Sequence, residues 1–228
     1  MVHRFPLVRL CRSATLLAFI VVLTRPDVSV AQGAVAGPTY EIAGFRNARF
    51  GMTEWEVRLS AKRMFRVDDG EMTLSSNARD GTTKLVVHVS RLEAGLGEGR
   101  IEYVFGYRAH KLFQVNVVWG LDTNPQLSNR EMLAAALRLQ LYFLGYTWAN
   151  RSARSGIPMD GSTVMLFSGA DRNNRAVILT IEGVRYEFDR NGAIRLQPER
   201  LAPTRLTVSY AAASSESDVR TVDRKSVV

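Results

Sequence analysis

The sequence predicts an exported α+β protein made of two tandem modules, each a helix followed by an antiparallel sheet. Three observations predict this class: an export signal at the N-terminus, a helix-capping motif that occurs twice 75 residues apart, and strand-like segments after each motif. The predicted boundaries are a signal peptide at 1–31, a first module at 32–122, a second at 123–211 and a disordered tail at 212–228.

The first 31 residues have the three parts of a signal peptide. Arg4, Arg9 and Arg12 form a basic region, and the apolar run at 14–23 is too short to span a bilayer as a helix. Ser29-Val30-Ala31 then places small residues where a signal peptidase cuts, so we predict cleavage after Ala31. The predicted location is periplasmic or secreted, with no stable membrane insertion after cleavage; an uncleaved N-terminal anchor is the alternative.

Cleavage changes the chemistry available to the chain. It removes Cys11, the only cysteine, so disulfides, cysteine nucleophiles and thiolate metal sites are excluded. It also removes four arginines and one aspartate, which lowers the net charge from +8 to +5. The remaining arginines are scattered and form no dense basic run, so we predict no nucleic-acid binding.

Two capping boxes mark the predicted helices. In Thr53-Glu54-Trp55-Glu56 the Thr53 hydroxyl can accept from the Glu56 amide, and the Glu56 carboxylate can accept from the Thr53 amide. This motif predicts a helix at about 53–65. Ser128-Asn129-Arg130-Glu131 starts a second helix that runs to Leu144 and ends at Gly145 in a left-handed C-cap conformation. The second helix is apolar on most of its circumference and is therefore predicted to be the more buried of the two.

Segments with alternating apolar residues follow each helix. They lie at 84–91, 100–107 and 111–119 after the first helix, and at 163–168, 176–182, 184–189 and 204–211 after the second. Asp189-Arg190-Asn191-Gly192 is a strong turn signal, and the link at 121–127 is the predicted boundary between the modules.

The segment Gly51-Met52-Thr53-Glu54-Trp55-Glu56-Val57 resembles the "G-M-T-x-x-E-V" opening of small periplasmic domains of the SmpA/OmlA (BamE-like) type. In those domains such a helix precedes a three-stranded antiparallel sheet. The tandem arrangement also resembles the β-lactamase inhibitor protein. The chain departs from the BamE-like pattern because it lacks the lipoprotein cysteine and has no Gly-x-Pro after the first helix. The resemblance implies a non-catalytic, protein-binding module.

Few residues suggest catalysis. His88 lies on the polar side of a predicted strand, where Glu102 and either Gln114 or Asn116 are expected on neighbouring strands. Such a cluster can bind zinc or act as an acid/base pair, so a hydrolase or metal-dependent enzyme that uses His88 and Glu102 is the first alternative. Because no second metal-ligand signature accompanies it, we predict no enzyme activity, no metal and no cofactor.

Along the predicted strands, polar side chains alternate with the apolar ones. This pattern favours a sheet whose apolar face packs on its helix and whose polar face is open. An open antiparallel sheet is a platform for another envelope protein, so the predicted function is that of an assembly factor, inhibitor or accessory subunit. A carrier of a small apolar ligand between helix and sheet is the further alternative. The predicted partner-binding residues are His88, Glu102, Tyr107, Gln114, Asn116, Trp119 and Trp148.

Overall fold

The computed structural model describes residues 37–93, 95–191, 194–196, 202–213 and 218–219. The predicted signal peptide and most of the predicted tail lie outside these residues. No helix among the described residues has the length and apolar character needed to cross a membrane.

Most of the regular secondary structure of the described residues is β-strand. Four short strands form two small hairpins: β1 (Gly44–Phe45) with β2 (Ala48–Arg49), and β10 (Tyr186–Phe188) with β11 (Ile194–Leu196). The other strands form one antiparallel sheet in the order β3-β4-β5-β6-β12-β9-β8-β7. Its strands are β3 (Met72–Ser76), β4 (Thr83–Glu93), β5 (Gly97–Phe105), β6 (Leu112–Gly120), β7 (Ile157–Pro158), β8 (Thr163–Ala170), β9 (Ala176–Glu182) and β12 (Arg205–Ala211).

The prediction of two helix-plus-sheet modules is wrong, because the main sheet is continuous through its centre. Strand β12 pairs with β9 on one side and with β6 on the other, in a register that sets Val208 opposite Val117. All 7 residues of β12 take part in both ladders. This pairing satisfies the backbone groups on the edge of β6 that an isolated first sheet would leave unpaired.

Both predicted helices form. Helix α1 spans Glu54–Phe65 and helix α2 spans Asn129–Leu144, and each has the expected reciprocal capping box. At α1, the Thr53 amide donates to the Glu56 carboxylate at 2.7 Å, and the Glu56 amide donates back to the Thr53 hydroxyl at 3.4 Å. At α2 the corresponding two distances are both 3.2 Å. At each helix start, the amides of the N-cap residue and of the third helical residue are thereby satisfied.

Two details of α2 differ from the prediction. Gly145 has φ −71° and ψ −6°, which is a right-handed conformation. The helix is also less buried than its composition suggests, because it lies on the protein surface and packs through one face only. The buried residues of that face are Met132, Ala135, Ala136 and Phe143. On the outer face Leu137, Leu141 and Leu144 are 45%, 69% and 49% exposed.

The core lies between the helices and one face of the main sheet. Residues in register across five strands place their side chains on the same side, and on this side they are apolar. One such row is Val87, Ile101, Val117, Val208 and Leu179. All five are buried in one hydrophobic cluster with residues of both helices. The helices therefore cover one face of the sheet, and the residues of the alternate positions point to the other.

Candidate functional site

The open face is the side of the main sheet opposite the helices. The residues at its centre are polar and stand directly opposite one another in register: Glu102, Asn116 and Ser209. Each of these side chains is half-buried, because neighbouring strands crowd it on both sides. The centre of the open face is thus a polar row whose side chains are held in place, while apolar residues such as Val118 and Ile178 occupy other positions of the same face.

A chain of ion pairs crosses the open face, and we call it the charged ladder. Positively and negatively charged side chains alternate along it, and it runs from the first half of the sheet to the second. Its members, in order, are Lys84, Glu102, Arg100, Asp122, Arg205 and Glu182. Its three cations balance its three anions, so the charged ladder carries no net charge.

The distances within the charged ladder are those of direct ion pairs. Glu102 lies 3.0 Å from the Lys84 ammonium through one oxygen and 3.0 Å from the Arg100 guanidinium through the other. Asp122 accepts from Arg100 and lies 3.5 Å from Arg205. Arg205 in turn lies 3.3 Å from Glu182. Since Asp122 joins Arg100 of β5 to Arg205 of β12, the ladder spans the junction between the two halves of the sheet.

Glu102 is the most buried member of the charged ladder, with a side chain 13% exposed. Burial raises the pKa of its carboxyl, but the hydrogen bonds from Lys84 and Arg100 outweigh burial and hold the pKa below its usual value. The pKa of Asp122 is lowered in the same way, with burial opposed by Arg100 and Arg205. Both carboxylates are therefore ionised at neutral pH.

An amide pair continues the network beside the charged ladder. The Gln114 amide nitrogen donates to Asn116 Oδ1 at 2.9 Å, and Asn116 Nδ2 donates to the Glu102 carboxylate at 3.4 Å. The structure therefore brings together three of the predicted binding residues, Glu102, Gln114 and Asn116.

His88 lies on the open face but does not meet Glu102. Its register partner on β5 is Arg100, whereas Glu102 stands opposite Val86. The carboxylate near the His88 ring is that of Glu98, with 3.7 Å between Nδ1 and Oε1. Among the described residues there is no group of three or more His, Cys, Asp or Glu side chains placed to hold a metal ion. The pairing expected for the enzyme alternative is thus not formed.

The predicted aromatic residues lie elsewhere. Trp119 is on the helix-facing side of β6 and is 4% exposed. Trp148 is buried against Tyr40 and Phe167 on that same side, and its indole donates to the Phe143 carbonyl oxygen at 2.9 Å. Trp119 follows the apolar alternation of β6, and Trp148 packs into the core from the segment after α2, so both lie away from the open face.

Tyr107 lies at the β5–β6 hairpin and is 39% exposed. Its ring packs close to Gly81, where a side chain larger than hydrogen would collide with it. The amide of Tyr107 donates to the carbonyl oxygen of Asp218, and the Asp218 carboxylate accepts from the amides of Arg108 and Ala109. Tyr107 therefore belongs to a contact between the β5–β6 hairpin and Asp218 at one end of the sheet.

Sequence reasoning missed most of the charged ladder. Five of its members come from separate segments of the chain, and the position of a residue within a strand shows only which face of the sheet it occupies. These members are Lys84, Arg100, Asp122, Glu182 and Arg205. Alternation places them on the polar face, but their pairing depends on which strands are neighbours. That information is absent from local sequence patterns.

Comparisons with known proteins give no family assignment. No protein-family model matches the chain, and no significant match was found among curated proteins or solved structures.

Proposed function

We propose that this chain is an exported, non-catalytic protein of the cell envelope that binds a partner protein through the open face. The observation that carries the proposal is the charged ladder with its attached amides, a fixed polar surface on the uncovered side of a large sheet. The resemblance to SmpA/OmlA (BamE-like) domains agrees with a binding role, and the predicted export signal agrees with an envelope location.

Preorganisation is the physical reason that this surface suits a protein partner. Long charged side chains lose rotamer freedom when they are fixed at an interface, and this loss weakens binding. In the charged ladder, Arg100 and Glu102 are already held by two partners each, so part of that cost is met in the free protein. A rigid alternating pattern of charge also selects partners with the complementary pattern.

The enzyme alternative has weaker support. Both oxygens of Glu102 are engaged by cations, which makes it a poor proton acceptor at neutral pH. The carboxylate near His88 is that of Glu98 and not that of Glu102, so the pair that this alternative needs is not formed. The ligand-carrier alternative concerns the other side of the sheet and does not compete for the open face.

Site-specific photo-crosslinking in the native envelope tests the proposal. A photoreactive amino acid at Asn116 reports on the centre of the open face, and one at Arg63, exposed on α1, serves as the matched control. We expect one discrete crosslinked protein from position 116 that is absent from position 63. The partner identified from that band is then purified and its binding to this protein measured.

Two results would contradict the proposal. One is the absence of any protein crosslink from position 116 in cells where the protein is folded and exported. The other is the same crosslinked species from both positions, since a protein that crosslinks to different surfaces of the molecule is bound non-specifically.

A further inference from the structure

A cleft lies on the helix-facing side of the sheet, and we call it the central cleft. Its volume is about 610 Å³, within the range of pockets that hold small organic ligands. It opens between helix α2 and the N-terminal segment at 40–46. Its floor is formed by the two central strands, β6 and β12, through Val117 and Val208.

The placement of the helices explains why the cleft exists. Helix α1 packs on β4, and helix α2 packs on β8 and β9. The two central strands are instead crossed by the short strand β1, which contacts both β6 and β12. A two-residue strand covers less of the sheet than a helix does, so room for a cleft remains beside it.

The inside of the central cleft is apolar. Leu92, Trp119 and Val208 are 6%, 4% and 2% exposed, and Ala135 and Leu139 of α2 line the wall. The Trp119 indole Nε1 is buried and has no hydrogen-bond partner among the described residues. This atom lies close to Gly99 of β5, so Trp119 contributes the apolar surface of its ring to the cleft.

Hydroxyl groups line the central cleft beside the apolar floor. Tyr40, Tyr142 and Tyr210 all contribute to the lining, and the Tyr40 hydroxyl, besides being buried, interacts with those of the other two closely enough to shift its pKa. Burial, together with the charge of Tyr142, raises the pKa of Tyr210 to about 12 even though the Tyr40 hydrogen bond and Arg46 lower it, so it keeps its proton at neutral pH. The three phenols therefore remain neutral hydrogen-bonding groups.

Charge at the mouth of the cleft favours an anion. Arg46 and Arg138 are exposed side chains that line the cleft, and Glu93 is the carboxylate that lines it with them. The lining thus holds two guanidinium groups and one carboxylate, a composition that suits a ligand with a single negative group.

We infer that the central cleft binds an amphipathic monocarboxylic acid, with its apolar body over the central strands and its carboxylate beside Arg46 and Arg138. The apolar floor takes the hydrocarbon, the guanidinium groups take the carboxylate, and the tyrosine hydroxyls supply further donors. This site is on the opposite side of the sheet from the open face and does not depend on the proposed protein partner.

Decanoate is the probe that tests the inference, with decanol as the neutral analogue of the same chain length. Titration of the purified protein is followed by calorimetry and by the indole N–H signals of its 3 tryptophans in ¹H–¹⁵N spectra, assigned with Trp119→Phe and Trp55→Phe variants. We expect saturable decanoate binding that shifts the Trp119 signal and leaves that of Trp55, 67% exposed on α1, in place. Decanol is expected to bind at least tenfold more weakly.

Two arginines of the same helix provide the matched variants. Arg138→Ala removes a charge at the cleft and is expected to weaken decanoate binding about tenfold or more. Arg130→Ala removes an exposed charge two turns earlier on α2 and is expected to leave the affinity unchanged.

Three outcomes would overturn the inference. They are equal binding of decanoate and decanol, equal loss of affinity in both arginine variants, and no binding of decanoate at all.

Discussion

The Asp171 carboxylate accepts a hydrogen bond from the backbone amide of Ile42, at 2.9 Å and across 129 positions of sequence. Its other oxygen accepts from the amides of Asn173 and Arg175, at 2.8 and 3.0 Å. Asp171 is 1% exposed, so this buried side chain ties the N-terminal segment to the loop between β8 and β9. That segment is also one wall of the central cleft.

Replacement of Asp171 by alanine is expected to destabilise the protein strongly. Three backbone amides lose their acceptor, and the Ile42 amide is buried, which together cost about 2 to 4 kcal/mol in the free energy of unfolding. Urea denaturation followed by circular dichroism measures this change. Asp160→Ala is the control, because Asp160 also accepts from two amides but is exposed to water. A loss no larger than that of the control would contradict the anchoring role of Asp171.

Two glycines provide a second stability test. A Cβ atom at Gly169 would lie 2.5 Å from two ring atoms of the buried Trp148, whereas one at Gly161 would meet nothing within 4 Å. Gly169→Ala is therefore expected to lower stability by about 1 to 3 kcal/mol through overpacking. Gly161→Ala is expected to change it by less than about 0.5 kcal/mol. Thermal denaturation of both variants measures the difference, and equal melting temperatures would show that Trp148 does not pack against β8.

The charged ladder is expected to make stability depend on acid pH through Glu102. The pKa of its carboxyl is lower in the folded protein than its ordinary value of 4.5, so the folded state binds the proton less readily than the unfolded chain does. The contribution of Glu102 is complete above that ordinary pKa and is lost as the pH falls through the lowered one. Glu102→Gln should then be less stable than the native protein at about pH 7, with the difference shrinking by about pH 3. Urea midpoints at both pH values measure it, and a constant difference would contradict this role.

The continuous sheet can be tested with a disulfide between β6 and β12. Asn116 and Ser209 are directly opposite in the antiparallel register, which places their Cα atoms within disulfide range. We expect Asn116→Cys with Ser209→Cys to form an intramolecular disulfide under oxidation, seen as faster migration on a non-reducing gel. The control pair, Asn116→Cys with Thr180→Cys, joins strands that are not neighbours and should stay reduced. Failure of the first pair to oxidise in folded protein would contradict the β6–β12 junction.

Local structure was largely predictable from sequence. Both helix starts follow from short-range chemistry, since Thr53 and Glu56, like Ser128 and Glu131, satisfy each other within one turn. The long strands follow from alternation with a period of two, which also separates the core face from the polar face. Short edge strands such as Met72–Ser76 were missed, because four of its five side chains are exposed and leave no apolar alternation.

The arrangement of the strands was not predictable in the same way. Alternation shows which side chains of β6 are buried, but it does not reveal that β12, some 90 positions later, is the neighbour. The charged ladder and the central cleft both depend on that pairing, since Asp122 meets Arg205 and Val117 meets Val208 only across it. Trp119 was predicted to be a partner-binding residue because it lies near a strand end, whereas its alternation with Val115 and Val117 places it on the core face, where it is buried.

The most direct test of a partner-binding open face is the affinity of a Ser209→Arg variant for the protein crosslinked at position 116. Ser209 is half-buried at the centre of the open face, between Asn116 and Ile178, and takes no part in the charged ladder. With circular dichroism confirming the fold, we expect at least about a tenfold loss of affinity, or about 1.4 kcal/mol, because the larger charged side chain blocks the surface. Undiminished affinity in that variant would show that the partner binds elsewhere and would contradict the proposed function.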